Sequence, residues 1–280
     1  MPTYFISHGI GPWSFMHGPL RENFAQLEQY LTSLPSELPA PPKAVVVVSG
    51  HWQEAEFTVA NAARPGMLYD YGGFPSYTYE IQYPAPGSPT VAARIQELLG
   101  KSGRKVAVDP QRGFDAATFA ILKPMYPRAD MPIVQLSVKA GLDPAEHFAV
   151  GRTLAPLRDA GILLIGSGFS YHNLRLRGRE STAPSLAFDG WLRQSLLVGT
   201  ADERLAALAN WTTAPHARIA HPQEEHLIPL MVAAGAGGDD PATAVYGEML
   251  MGSTAVSSFR FGADRRRTGF DRLGATAKAV

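Results

Sequence analysis

Short apolar runs rich in β-branched and aromatic residues alternate along the chain with longer stretches of helical periodicity. The runs that predict strands are Tyr4–Ile6, Ala44–Val48, Ile133–Val138, Ile162–Ile165 and, last, Ser257–Phe261. Apolar spacing predicts helices over 21–33, 90–100, 144–158, 184–198 and 222–234. This alternation is typical of a largely parallel sheet covered by helices, so we expect an α/β fold. The second strand lacks polar alternation, which predicts burial on both faces.

A loop-like region over 65–89 interrupts this pattern and is rich in tyrosine, glycine and proline. It is too long and too aromatic for a simple connection, and long ordered loops are often functional. The alternative is an excursion of an edge hairpin that packs on the core. The sequence leaves both interpretations open.

Composition narrows the class of protein. The 280 residues are 45% hydrophobic and 18% charged, and the 25 basic residues balance the 25 acidic ones, as in a globular protein without a nucleic-acid footprint. There is no cysteine, so disulfides, thiolate metal sites and a cysteine nucleophile are excluded. We see no signal peptide and no apolar stretch of membrane-spanning length, and we therefore expect a cytoplasmic protein that binds neither nucleic acid nor membrane.

Three of the eight histidines lie at or just after predicted strands, each beside glycines. His8 follows the first strand, His51 follows the most buried strand, and His172 comes shortly after Ile162–Ile165. Ligands of open α/β sheets bind beyond the carboxyl ends of the strands. A single histidine is more often a hydrogen-bonded structural residue, but three such placements favour a metal site with open coordination positions.

A fourth histidine, His226, lies in a segment that looks like the start of a helix. Pro222 suits the first helical position, and Glu224 and Glu225 suit the positive end of the helix dipole. His226 would then sit one turn into the helix, with His221 as its cap. The other histidines lack such a context and are predicted to be surface or packing residues; they are His17, His147 and His216.

The glycine-rich turns give little support to two other functions, nucleotide binding and serine hydrolysis. His8–Pro12 and Gly166–Gly168 follow strands, but neither continues as a dinucleotide fingerprint or a phosphate-binding loop. The second turn also lacks the full pattern of a nucleophile elbow. Nucleotide binding and serine hydrolysis are therefore disfavoured.

At these residues the sequence resembles the class III extradiol ring-cleaving dioxygenases, and specifically their DOPA-dioxygenase-like branch. The resemblance extends to about residue 262. The motifs that carry it, in chain order, are Ser7–Gly9, Val45–Trp52, Tyr71–Pro75, Tyr83–Pro89, Gly113–Asp115, Met125–Pro127, Val134–Ser137, His172–Leu174 and Glu224–Leu227.

The resemblance implies a single catalytic domain over 1–262 with a central, mixed sheet. The polar residues beyond it, 263–280, which include Arg265–Arg267, are predicted to form a flexible tail. The resemblance also implies that His8, His51 and His226 are the ligands of one divalent metal ion, Fe(II) for activity or Zn(II) as isolated. His172 would be the acid/base, or a possible fourth ligand in zinc-loaded relatives. The expected reaction inserts O2 into a small aromatic diol and yields a ring-opened semialdehyde; the oligomeric state stays open.

One position departs from the family pattern. Related sequences usually have Gly-Phe-Asp-His-Gly where this chain has Gly113–Ala117, so Ala116 replaces a histidine expected on the substrate side of the metal. Two alternatives therefore accompany the dioxygenase interpretation. One is a zinc-dependent hydrolase on the same scaffold, in which His172 activates a metal-bound water. The other is a catalytically weak relative that binds a ligand.

Overall fold

The computed structural model describes residues 1–262, and the predicted tail over 263–280 lies outside them. The strands of the described part are Thr3–Ser7 (β1), Ala44–Glu54 (β2), Phe57–Ala60 (β3), Val106–Asp109 (β4), Ile133–Lys139 (β5), Ile162–Gly168 (β6), Ala242–Leu250 (β7) and Thr254–Phe261 (β8). Its α-helices are Pro19–Glu22 (α1), Ala25–Glu37 (α2), Pro89–Lys101 (α3), Ala116–Met125 (α4), Pro144–Leu154 (α5), Pro156–Asp159 (α6), Arg179–Leu197 (α7), Ala201–Ala209 (α8), Ala217–Ala220 (α9) and Ile228–Gly237 (α10).

The strands form one sheet in the order β4-β3-β5-β2-β6-β1-β8-β7. The four central strands, β5, β2, β6 and β1, pair in parallel. Antiparallel pairing occurs on both sides of them, where β3 meets β5 and β8 meets β1. The predicted α/β fold with a largely parallel but mixed sheet is therefore confirmed.

Helices cover both faces of the central strands. Gly166 of β6 meets the backbone of Pro229 in α10, whereas the hydroxyl of the next residue, Ser167, donates to the carbonyl of Ala117 in α4. Because successive residues of a strand point to opposite faces, α4 and α10 lie on opposite faces of the sheet. All ten residues of α10 are buried, as expected for a helix that is apolar on every side. Val45–Val48 is also buried, as predicted.

Several elements differ from the prediction. The helix expected over 222–234 begins only at Ile228, because Pro229 rather than Pro222 occupies its first turn. The helices expected over 21–33 and 144–158 are each divided in two. The sequence pattern missed β3, β4, β7, α4, α8 and α9. In the described part of the chain, no helix is long and apolar enough to cross a membrane.

Candidate active site

His8 and His51 lie at the carboxyl ends of two central strands. His8 directly follows β1, and its backbone N–H donates to the carbonyl of Gly168 at 2.9 Å, which extends the ladder between β1 and β6. His51 was expected to follow its strand, but β2 continues to Glu54. Its pairing with β5 shifts register between Ser49 and Gln53, so His51 lies in an irregularity of the strand. Such irregularities re-aim side chains, which brings His51 toward the same edge as His8.

His226 reaches this edge from a turn that precedes α10, not from within a helix as predicted. The backbone N–H of Phe169 donates to the His226 carbonyl at 2.9 Å, directly after β6. A Cβ atom on Gly168 would lie 2.0 Å from that carbonyl oxygen. Only glycine allows this approach, so Gly168 sets the position of the His226 backbone.

The remaining histidines take other roles. The prediction that His221 caps a helix containing His226 is wrong; His221 directly follows α9, is fully buried and donates from Nε2 to the carbonyl of Ser170 at 3.1 Å. Burial lowers its pKa to about 3. His147 is buried and hydrogen-bonded through both ring nitrogens, which confirms a packing role. His17 and His216 are exposed, as predicted for surface residues.

The three predicted ligands come together. One ring nitrogen each from His8, His51 and His226 lies within 4.8 Å of the others. His8 and His226 are 4% and 7% exposed, and their Nε2 atoms have no hydrogen-bond partner among residues 1–262. A buried polar atom is normally satisfied, so two such nitrogens facing one point indicate a site for an electron-pair acceptor. The residues therefore fit a metal ion, since neutral imidazole is the commonest metal ligand.

The opposite ring nitrogen of each histidine has a fixed acceptor. Nδ1 of His8 lies 2.9 Å from the Gly9 carbonyl oxygen, Nδ1 of His51 lies 2.6 Å from Asp70 Oδ2, and Nδ1 of His226 lies 2.9 Å from Glu225 Oε1. Each acceptor places the proton on Nδ1 and leaves the Nε2 lone pair free. Such partners fix the orientation of metal-binding histidines.

The protonation of these rings agrees with this arrangement. Burial lowers the pKa of His226 to about 3 and lowers that of His8 well below its usual value, so both are neutral near pH 7. His51 is partly buried, and this burial lowers its pKa; the hydrogen bond to Asp70 and the negative charges of Asp70 and Asp115 together outweigh that effect and raise the pKa. Two neutral rings and one carboxylate-paired ring thus surround the proposed metal position.

His172 lies beside this triplet. Its ring stacks on that of His226 with the centroids 3.5 Å apart, and its backbone N–H donates to the Ala220 carbonyl at 2.9 Å. Its Nδ1 lies 3.5 Å from Glu225 Oε1, so one carboxylate contacts both His172 and His226. Burial raises the pKa of Glu225, but hydrogen bonds from the two histidines reverse this and lower it. Glu225 is therefore ionised near neutrality.

Two carboxylates of the site were missed in the sequence. In the sequence, Glu225 was considered only as a residue at the start of a helix. Asp70 was not singled out within the tyrosine-rich region over 65–89. Asp70 Oδ2 contacts His51, and its Oδ1 accepts the backbone N–H of Ala116 at 3.0 Å. A carboxylate directly beside a candidate ligand was a usable signal for Glu225. For Asp70 there was none, because the contact joins residues 19 positions apart.

A cavity of about 800 Å³ opens above the histidines. The tyrosine-rich region over 65–89 contributes Asp70, Tyr71, Gly72 and Phe74 to its wall, which favours the interpretation of this region as a functional loop. The alternative of an edge hairpin is wrong, since this segment contains a 3-10 turn over Ser76–Tyr79 and no strand. Ala116, only 1% exposed, is not part of the wall.

Comparison with known proteins agrees with this site. The profile of the catalytic LigB subunit of aromatic ring-opening dioxygenase matches residues 2–259. A 4,5-DOPA dioxygenase extradiol of Beta vulgaris is 38% identical over 264 residues, covering 92% of this chain and 96% of the relative. The protein of the same name from Escherichia coli (strain K12) is 36% identical over 269 residues, covering 94% of this chain and 95% of the relative.

A solved structure shares the fold. The crystal structure of an uncharacterized protein from Escherichia coli K12 superposes with a TM-score of 0.76 at 33% sequence identity. The match covers 94% of this chain and 100% of the other. With a family profile over nearly the whole chain and several close relatives, the chain belongs to the LigB family of class III extradiol, aromatic ring-opening dioxygenases.

Proposed function

We propose that the chain opens a catechol-type ring with O2 at a single divalent metal ion held by His8, His51 and His226. The observation that carries this proposal is the pair of buried, unpartnered Nε2 atoms on His8 and His226, within the part of the chain that is described. Their Nδ1 atoms, and that of His51, are each engaged by an acceptor. The ligand set therefore needs no rearrangement of its hydrogen bonds to accept an ion.

The ion we propose is Fe(II), with Zn(II) as the form obtained on isolation. When bound, Fe(II) would supply the redox chemistry that activating O2 requires and that zinc lacks. The matching relatives include proteins named as dioxygenases, and at least four of them carry the name 4,5-DOPA dioxygenase extradiol. These names favour an oxygenase over a zinc-dependent hydrolase, and they make DOPA a candidate substrate.

His172 is the proposed acid/base. A catechol hydroxyl would transfer its proton to the free Nε2 of this imidazole, and the same proton would return to the substrate after oxygen insertion. The ionised Glu225, 3.5 Å from Nδ1, would stabilise the imidazolium in between. The stacking of His172 on His226 holds the acid/base directly beside a metal ligand, so a fourth-ligand role is not required.

Ala116 motivates the alternative of a weak, ligand-binding relative. Its backbone N–H donates to Asp70 Oδ1, and its own buried side chain does not line the cavity. We therefore assign proton transfer to His172, whose ring stacks on that of His226. We further propose that the protein acts in the cytoplasm and binds neither nucleic acid nor membrane.

The test is His172→Ala in protein loaded anaerobically with Fe(II). We expect O2 uptake with a panel of catechols to fall about 100-fold or more, because general acid–base catalysis contributes roughly that factor. Metal content should stay at the wild-type value, since the three proposed ligands are unchanged. Undiminished ring cleavage by His172→Ala would refute the assigned role.

A further inference from the structure

His51 lies in a part of β2 that departs from the regular pairing of the sheet. The pairing of β2 with β5 runs to Ser49 and resumes at Gln53, and its pairing with β6 ends at Ser49. The backbone of 50–52 therefore lies outside the register of both ladders. Backbone polar groups in a folded protein need partners, so other groups must hold this segment if His51 is to keep one orientation.

The backbone N–H of His51 is held by a nearby side chain. It donates to Oγ of Ser49 at 3.1 Å, and the Ser49 hydroxyl donates in turn to Oδ2 of Asp115 at 2.8 Å. Ser49 and Asp115 are both 0% exposed. Because the hydroxyl proton is committed to the carboxylate, the serine oxygen presents its lone pairs to the His51 N–H. Asp115 thus sets the direction of the hydrogen bond that holds His51.

The carbonyl side of the same segment is contacted by Arg112. Its Nη2 donates to Oδ2 of Asp115 at 2.9 Å and lies 3.5 Å from the carbonyl oxygen of His51. Its guanidinium also lies over the indole ring of Trp52, 4.7 Å from the ring centroid. One oxygen of Asp115 is therefore connected to both backbone polar groups of His51, through Ser49 on one side and through Arg112 on the other.

Asp115 is itself fixed in place. It is the N-cap of α4, where its Oδ1 accepts the backbone N–H of Thr118 at 3.0 Å. Its own backbone N–H donates to Oε1 of Gln135 in β5 at 3.2 Å. Because its backbone N–H and both carboxylate oxygens are engaged, Asp115 is a fixed anchor between α4 and the sheet.

We propose that Asp115 is a positioning residue for the metal ligand His51, and that it acts through Ser49 and Arg112. This inference rests on the proposed metal site and adds to it a residue that touches neither the ion nor the substrate, since Asp115 is buried outside the cavity wall. Asp70 orients the ring of His51, whereas Asp115 holds the backbone that carries the ring.

The experiment interrupts this connection at two points. Ser49→Ala removes the hydroxyl that joins His51 to the carboxylate, and it leaves the pair of Asp115 with Arg112 and the cap of α4 in place. Asp115→Asn keeps one oxygen that can cap α4, but it replaces the other acceptor with an amide that donates.

Each variant has a matched control. Ser137→Ala is the control for Ser49→Ala, because Ser137 lies opposite Ser49 in β5, is equally buried and accepts the backbone N–H of Thr58 at 2.9 Å. Asp143→Asn is the control for Asp115→Asn, because the side chain of Asp143 caps α5 by accepting from Glu146. Neither control residue contacts the proposed ligands.

Two properties are measured in wild type and in the four variants. The first is the hydrogen-exchange rate of the His51 and Thr58 backbone amides in metal-free protein. The second is the binding of Co(II), with its affinity determined by competition with a chelator and its coordination geometry followed by visible absorption.

We expect the His51 amide to exchange about 3- to 10-fold faster in Ser49→Ala and Asp115→Asn, with the Thr58 amide unchanged. Ser137→Ala should show the opposite pattern. Co(II) affinity should fall about 10- to 100-fold in Ser49→Ala and Asp115→Asn, with an altered absorption spectrum, because the ligand is no longer held in one orientation. Both controls should keep the wild-type affinity and spectrum.

Three results would overturn the proposal. They are wild-type Co(II) binding in Ser49→Ala, an equal loss of affinity in Ser137→Ala, and wild-type binding in a folded Asp115→Asn. If Asp115→Asn does not fold, Ser49→Ala decides, because it breaks only the link to the His51 N–H. If wild type binds no Co(II), the proposed metal site fails; unchanged exchange of the His51 amide in the variants would then show separately that Asp115 does not hold this backbone.

Discussion

The floor and the rim of the cavity are built in different ways. The floor, formed by His8, His51 and His226, is mostly buried, and every Nδ1 atom in it has a fixed acceptor. The rim, formed by Leu174, Arg177 and Met251, is exposed; its two apolar members are 54% and 49% accessible. Packing therefore fixes the chemistry of the floor, whereas the rim can change without disturbing the fold.

The largest effect is expected from Gly168→Ala, which tests how the floor of the cavity is positioned. A methyl group there would lie 2.0 Å from the His226 carbonyl oxygen, so the backbone that carries a proposed ligand must move. We expect activity to fall about 100-fold, since a displacement of about 1 Å can have that effect. Metal content and thermal unfolding should decline with it.

The matched control is Gly190→Ala, at an exposed position of α7 where an added Cβ meets nothing within 4 Å. Alanine favours a helix over glycine by about 1 kcal/mol, so this variant should be slightly more stable and fully active. If Gly168→Ala behaves like Gly190→Ala, the close approach does not position the site.

A smaller effect is expected from Asp70→Asn, which keeps the size of the side chain but removes the charge beside His51. Loss of such a partner typically lowers metal affinity about 10- to 100-fold. Competition with a chelator measures this affinity. Asp130→Asn is the control, because within residues 1–262 its carboxylate pairs only with exposed Arg128, and such a surface ion pair contributes little to stability. Equal affinities in both variants would show that Asp70 does not orient the ligand.

Substitutions at the rim are expected to have the smallest effect on activity. Met251→Ser removes an apolar side chain that is half exposed, so KM for a catechol should rise about two- to threefold with kcat unchanged. Val198→Ser, exposed but outside the cavity wall, should have no effect on either constant. A large fall in kcat for Met251→Ser would contradict the distinction between floor and rim.

Most of the fold could be predicted because its central strands are continuous apolar runs. Buried β1, β2, β5 and β6 were found on that basis, whereas β4, which is largely exposed, has little apolar signal. β3 is buried but only four residues long, which is too short for a periodicity to show. The predicted start of α10 was six residues too early because Pro222, which lies in a turn, is a residue type common at the first position of helices.

Part of the candidate site could also be predicted from the sequence. Histidines after strands share an edge by topology, so His8, His51 and His172 could be grouped without coordinates. His226 was placed by family resemblance, and its approach depends on Gly168, whose role is apparent only in three dimensions. The pairing of Asp70 with His51, and the position of Arg177 at the rim, depend on loops whose paths the sequence pattern does not specify.

The central claim is that three histidines hold one ion. It is tested most directly by metal content per chain after anaerobic Fe(II) loading and desalting, in wild type and in alanine variants of His8, His51, His226 and His172. We predict about one ion in wild type and His172→Ala, and almost none in the other three. Full metal content in His8→Ala, His51→Ala or His226→Ala, or its loss in His172→Ala alone, would contradict the claim.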